Sequence, residues 1–245
     1  MEKRLFTIEA NELIADGTMK LTLAADDNSF VADGEFVDVS IPGYYLRRPL
    51  SFCDTWPGHI VLIYKMVGEG TKKLSRMEPG LELDLLTGLG NGFDASACKS
   101  KALIVCGGIG ASPTFSLAKE LLHRGKKVNV ILGFNRADEI ILADEYRRIG
   151  AETVITTVDG SEGVKGFVTD AFDAMAPGCD YFYTCGPKVM MKAVCGKLDI
   201  PGEVSLEERM GCGCGICFGC TCHTTKGPRR VCAEGPVFKK EEVIW

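Results

Sequence analysis

Short runs in which apolar and polar residues alternate fill the first 97 positions of the chain; beyond them the apolar runs become unbroken. Residues 5–10, 19–24, 36–41 and 59–65 are brief, rich in β-branched or apolar side chains, and often alternate with period two, which predicts strands. Turn signals separate them at Ala15-Asp16-Gly17, Ala32-Asp33-Gly34 and Pro42-Gly43. Strands this short and closely spaced predict a closed antiparallel barrel. One helix is predicted from Thr71 to about Met77, stopped by Glu78-Pro79-Gly80.

From about residue 101 to 198 the rhythm differs. Residues 102–106 form a continuous apolar run that feeds glycines and then a predicted helix over about 112–124. Residues 128–133, 152–157 and 181–185 read as further strands, with helical or turn segments between them. Fully apolar strands alternating with helices predict a parallel sheet covered on both faces. From residue 201 the chain is rich in Gly and Cys and poor in core material, so something other than burial is expected to hold it. The expected fold is multi-domain β plus α/β. It comprises an antiparallel β-barrel over 1–97, a doubly wound parallel α/β domain over 98–200 and a small C-terminal domain over 201–245.

With 46% hydrophobic and 25% charged residues the chain can bury a core, and a net charge of -5 argues against a nucleic-acid-binding surface. The N-terminus lacks the pattern of a signal peptide, and the apolar run at 102–106 is far short of the roughly 20 residues of a membrane span. A cytoplasmic protein without a membrane partner is expected. The twelve cysteines therefore do not suggest a disulfide framework. Cys53, Cys98, Cys106, Cys179, Cys185 and Cys195 are scattered and read mostly as small buried side chains. The other six crowd into the tail.

Among these, Cys212, Cys217, Cys220 and Cys232 have the spacing C-x4-C-x2-C-x11-C, whose first three members match the plant-type arrangement around a 2Fe–2S cluster. Interspersed glycines at 211, 213, 215 and 219 allow left-handed backbone and bring N–H groups close to sulfur. Two other readings remain. Cys214, Cys217 and Cys220 also begin a four-iron motif, although Thr224-Thr225 stands where a Cys-Pro is wanted, and a zinc site would want two paired knuckles. On the 2Fe–2S reading Cys214 and Cys222 are spare. His223 stands alone, whereas a Rieske-type centre needs two histidines, so it reads as a solvated side chain.

Arg47-Arg48-Pro49-Leu50-Ser51 places an arginine where it can pair with a dinucleotide pyrophosphate and a serine near a flavin ring. Gly68-Glu69-Gly70-Thr71 leads into a predicted helix, a natural phosphate seat, and the two signals together point to a flavin dinucleotide. The loop Gly107-Gly108-Ile109-Gly110-Ala111-Ser112-Pro113 is similar to a dinucleotide fingerprint with Pro113 in the third glycine position, where it is expected to be the first helical residue. A second loop, Thr184-Cys185-Gly186-Pro187, follows a strand and opens a helix at Lys188, so both loops are expected to face one crevice. Arg136 is a candidate for a 2′-phosphate, or a surface residue.

Arg48-Pro49-Leu50-Ser51, Gly70-Thr71, Gly108-Ile109-Gly110 and Cys185-Gly186-Pro187, in that order, resemble the ferredoxin–NADP reductase superfamily. Glu208-Arg209-Met210-Gly211-Cys212 and the run from Val231-Cys232 to Val237-Phe238 narrow the resemblance to electron-transfer subunits of class 1B dihydroorotate dehydrogenases, over nearly the whole length. The resemblance implies that Arg48, Pro49, Leu50 and Ser51 bind FAD, that Ile63, Tyr64 and Lys65 line the isoalloxazine, and that Gly70 and Thr71 hold the pyrophosphate. Gly108, Gly110, Cys185, Gly186 and Pro187 would take NAD, with Cys185 near the nicotinamide, and Cys212, Cys217, Cys220 and Cys232 would bind the cluster. It further implies an FMN-containing catalytic partner, with two copies of each subunit in a heterotetramer. Electrons would pass from dihydroorotate through that FMN, the cluster and FAD to NAD+. The last interval, x11, is short for the family and leaves the loop conformation open. A similar flavin subunit of bifurcating ferredoxin:NADP oxidoreductases begins its cluster motif with aspartate, where this chain has Cys212. A non-enzymatic redox sensor would need no nicotinamide loops.

Overall fold

A computed structural model of the chain describes residues 1–24 and 35–245; the turn expected at Ala32-Asp33-Gly34 lies outside them. The first six strands are β1 (Glu2–Ala15), β2 (Thr18–Ala24), β3 (Phe36–Val39), β4 (Arg48–Trp56), β5 (His59–Lys65) and, after helix α1 (Glu69–Leu74), β6 (Glu82–Leu89). They close an antiparallel barrel in the order β1-β2-β5-β4-β3-β6. Alternation explains the closure. Leu21, Leu23, Val37, Val39, Phe52, Ile60, Leu62, Leu83 and Leu85 point to a common interior, each contributing about 1.5–3 kcal/mol by burial. On β4 and β5 the outward residues Cys53, Val61 and Ile63 are buried too, because the α/β domain covers that wall.

The predicted helix at 71–77 is instead α1, ending at Leu74. Its last part is not lost but tightened: Arg76 N–H donates to Lys73 O and Met77 N–H to Leu74 O, the i→i+3 bonds of a closing 3-10 turn.

The second domain holds β7 (Lys101–Gly107), α2 (Phe115–His123), β8 (Lys127–Phe134), α3 (Ala143–Arg148), β9 (Glu152–Thr157), β10 (Val164–Lys165), α4 (Phe172–Met175), β11 (Tyr181–Cys185) and α5 (Lys188–Lys197). The sheet order is β10-β9-β8-β7-β11, continued by two strands of the tail, so the winding reverses between β7 and β11. The pairs β7–β8, β8–β9, β9–β10 and β7–β11 are all parallel. Pro113 does not open the helix: a 3-10 turn over Gly108–Ala111 intervenes, and α2 starts two residues later, at Phe115.

The tail is β12 (Gly202–Ser205), β13 (Thr221–Thr224), β14 (Gly227–Arg230), α6 (Val231–Glu234) and β15 (Val237–Lys239). It corrects the expectation of a segment without a core. β12 extends the sheet in parallel with β11, and β15 closes its edge antiparallel to β12. Val204, Leu206, Val231, Cys220, Cys232 and Phe238 share a buried cluster with Phe36 and Leu89 of the barrel and Met191 of α5. The tail borrows its apolar partners from both larger domains. Among the described residues no helix is long and apolar enough to cross a membrane.

Candidate functional site

Strands β7, β8, β9 and β11 end on one side of the sheet, where a crevice of about 730 Å3 opens at the reversal of winding. Ligands gather at such switch points because the strand ends leave a gap between loops that diverge to opposite faces. Gly108, Ile109, Gly186 and Pro187 line the crevice, joined by Gly133, Asn135 and Thr156. The two loops anticipated from the sequence do face each other. Gly110 lies beneath, pressed on the β11 loop: a Cβ there would sit 2.2 Å from Cys185 O. Cys185 is 2% exposed, and burial pushes its thiol well above the ordinary range, with the Glu207 carboxylate adding to the effect. It is held as a neutral thiol under the loop rather than as a nucleophile.

Across the mouth, Lys65 of β5 pairs with Glu139 at 3.5 Å, and Asn135 Nδ2 donates to the same carboxylate. Arg136 is engaged by Asp16 at 3.1 Å and Asp138 at 3.2 Å. These carboxylates occupy the guanidinium considered above for a 2′-phosphate.

On the barrel side Arg47 and Arg48 have different work. Arg47 donates to Asp38 O and Asp84 O and forms an ion pair with the Asp84 carboxylate at 2.9 Å, a structural clamp between strands. Arg48 lies over Tyr44, 5.2 Å from the ring centroid, and against Gly70, where a Cβ would come within 2.7 Å of Nε and Nη2. A guanidinium and the backbone of a helix start thus share one spot, as an FAD pyrophosphate requires. The Thr71 hydroxyl accepts from Val67 N–H and Gly68 N–H and donates to Gly68 O, so it shapes the loop. Pro49 pairs across to Asp38 and Ser51 to Phe36, with Leu50 between them leaning on the barrel core. Ile63 and Tyr64 are both buried, on opposite faces; Tyr64 donates to Asn11 Oδ1 inside the barrel. Lys65, next along the strand, is half-buried.

In the tail, residues 206–220 carry neither helix nor strand. Among the described residues no three metal-binding side chains close round a single ion-sized point. The thiols fall instead into two pairs. Cys212 hydrogen-bonds as a free thiol to Cys217, and to Cys214 beside it, and Cys217 N–H points at Cys212 Sγ from 3.4 Å. Cys220 and Cys232 form the second pair, with Cys232 N–H 3.4 Å from Cys220 Sγ and Gly215 N–H 3.1 Å from Cys232 Sγ. Two pairs of thiols, each supplied with backbone N–H donors, fit a 2Fe–2S cluster, in which each iron takes two protein sulfurs. Burial raises the Cys212 thiol, but backbone donors from Cys217, Cys214 and Ile216 outweigh it and bring it down to about 6. Burial pushes Cys232 up to about 12. Cys214 packs beside this group, Cys222 is buried, and His223 is exposed on β13.

One residue the motifs did not flag is Asp38. It is 3% exposed, in a strand otherwise made of Phe36, Val37 and Val39. Burial pushes its carboxyl up to about 6, with Cys212 adding and Arg47 and Arg48 opposing. A charged residue inside an apolar strand was the available signal.

The barrel, the crevice sheet and the paired thiols make this a ferredoxin reductase-like FAD/NAD-binding oxidoreductase with an iron–sulfur domain at its C-terminus. Residues 104–196 match the family described as "Oxidoreductase NAD-binding domain", and residues 207–244 match "Iron-sulfur cluster binding domain of dihydroorotate dehydrogenase B". The chain belongs to the family of dihydroorotate dehydrogenase B (NAD(+)) electron transfer subunits. It is 41% identical over 250 residues to the one of Geobacillus kaustophilus, covering 97% of each chain. It is 40% identical over 255 residues to that of Bacillus pumilus, covering 99% of this chain and 98% of the other. Among solved structures, a chain of the NADH-dependent reduced ferredoxin-NADP oxidoreductase, described for flavin-based electron bifurcation, aligns with a TM-score of 0.90 and 31% identity. That alignment covers 99% of this chain and 90% of the other.

Proposed function

We propose that the chain relays electrons from the FMN of a dihydroorotate-oxidising partner to NAD+, through a 2Fe–2S cluster on Cys212, Cys217, Cys220 and Cys232 and an FAD on Arg48, Pro49, Leu50, Ser51, Gly70 and Thr71. The partner assembles with it as two copies of each subunit, in the cytoplasm. When bound, the cluster supplies one-electron transfer and the flavin the exchange between single electrons and a hydride. The chain's own residues bind and separate these groups. Arg48 sets a cation where a pyrophosphate would rest, and Thr71 holds the loop that presents Gly70. Gly108, Gly110, Gly186 and Pro187 keep the crevice open to a nicotinamide, while Cys185 stays protonated below it. No general base for dihydroorotate is assigned to this chain, since that chemistry belongs to the partner.

The observation that carries this proposal is the placement of the paired thiols: their loop packs on β3, directly beside the Arg48–Ser51 strand. Oxygen-free purification with the partner is expected to give about one FAD and two irons per chain, with FMN on the partner alone. NADH should bleach the flavin rapidly. Zinc, or no metal, in place of iron would remove the relay's first station and the proposal with it. The same fold serves a bifurcating oxidoreductase in the 31%-identical structure. Co-purification of a dihydroorotate-oxidising partner, rather than a ferredoxin-reducing one, separates the two.

A further inference from the structure

We propose that Asp38 is a positioning residue of the electron path: its buried carboxylate seats the cluster loop against the flavin strand and holds the cluster's potential down. This rests on the assignment of Cys212, Cys217, Cys220 and Cys232 to a cluster.

Asp38 lies in the barrel wall, paired with Pro49 of β4 on one side and Leu86 of β6 on the other. Its neighbours Val37 and Val39 point into the barrel, so by strand alternation its own side chain points out, toward the tail. There it meets Gly213, the residue after Cys212. A Cβ on Gly213 would lie 2.6 Å from Asp38 Oδ2, and Gly213 has φ +66°. The loop is therefore moulded on this carboxylate.

The charge is poorly compensated. Oδ1 is buried with no hydrogen-bond partner. Arg47 and Arg48 offset the charge only across space, without bonding the carboxylate: Arg47 donates to the Asp38 backbone oxygen and gives its ion pair to Asp84, while Arg48 lies over Gly70 and Tyr44. Cys212 is the other ionisable group that acts on it among the described residues. A buried carboxyl without a hydrogen-bond partner is costly, and groups so placed concentrate at functional sites. Negative charge in a medium of low polarity disfavours adding an electron nearby, so it lowers the potential of a cluster on Cys212 and leaves its electron more readily passed to the flavin.

The test is an oxygen-free redox titration of the full chain in mildly alkaline buffer, followed by electron paramagnetic resonance, with iron and FAD measured on the same samples. Asp38→Asn keeps the shape and removes the charge; it is expected to keep both irons and shift the cluster to higher potential. Asp38→Glu keeps the charge and is expected to stay near wild type. Loss of iron by D38N but not D38E also supports the charge. A fully loaded D38N at the wild-type potential overturns the proposal, as does equal loss of iron from both variants. A wild-type chain without iron would instead sink the cluster assignment itself.

Discussion

The nucleotide crevice is floored by glycines: Gly107, Gly108, Gly133 and Gly186 stand at the ends of β7, β8 and β11, on strands whose ladder fixes them, and side chains such as Ile109, Asn135 and Met190 complete the lining. The cluster loop has no ladder under residues 206–220, and its chemistry is carried by side-chain sulfur steadied by single N–H contacts. In the first region function depends on side chains being absent, and in the second on thiols being present. Damage should therefore be read differently in each. A change in the crevice frame costs folding free energy, whereas a change in the loop costs the ligand and leaves the fold standing.

The hardest blow to that contrast is Cys217→Ser. Cys217 is exposed, so serine meets no packing conflict. Iron is expected to fall below about a tenth of the wild-type content, because a neutral hydroxyl replaces a thiolate ligand. Reduction of the FAD by NADH should persist. A C217S chain with both irons would refute the ligand assignment, and one that fails to fold would refute the contrast.

Next in size is Gly110→Ala. Its Cβ would fall 2.2 Å from Cys185 O, a backbone atom held in the sheet, so relief requires moving β7 or β11. A loss of about 3 kcal/mol or more is expected in urea unfolding. The matched substitution in the loop, Gly219→Ala, would place its Cβ 3.5 Å from Cys217 Sγ, an ordinary contact, and should cost under about 1 kcal/mol. Equal costs at the two positions would erase the distinction.

Arg48→Ala sharpens it on the barrel side. Losing one charge-assisted contact to a pyrophosphate should weaken FAD about 10–100-fold, read as flavin retained through gel filtration. Arg47→Ala should act on stability instead, since its partners are Asp84 and two strand carbonyls. If R47A released FAD and R48A did not, the roles drawn from their geometry would be reversed.

Legibility in the sequence follows the same division. Strands such as His59–Lys65 and Tyr181–Cys185 were readable because burial on one or both faces imposes a period on the residues themselves. The glycine loops and the cysteine spacing were readable because their chemistry admits few residue types. What escaped were facts about partners. The tail's core was hidden, since Val204, Leu206 and Val231 become a core only against Met191 of α5 and against Phe36 and Leu89, which lie far away in the chain. The resemblance gives Ile63, Tyr64 and Lys65 to a flavin ring, and it does not reveal that alternation sends Ile63 and Tyr64 into separate cores. The start of α2 was displaced by the 3-10 turn at Gly108–Ala111, which no propensity marks.

The smallest effect tests the frame at the end of the sheet remote from the crevice. Asp180, just before β11, accepts from the N–H groups of Lys99, Ser100 and Lys101 and from Ser100 Oγ, tying the start of β7 to that of β11. Desolvation pushes its carboxyl up, but these four donors outweigh it and hold it well below the usual range. A carboxyl with a depressed folded value adds stability above its unfolded value of about 3.9 and loses it as pH falls toward the folded value. Asp180→Asn should thus cost about 1 kcal/mol near neutrality, a figure kept low because the group is partly exposed to solvent. The gap to wild type in urea midpoints should stay constant down to about pH 5 and close below about pH 4. NADH affinity should not change, because the crevice lies at the other end of the same strands. A gap that widened on acidification would mean that the carboxylate is not what these donors stabilise, and a changed affinity would mean that frame and crevice are less separate than their geometry makes them.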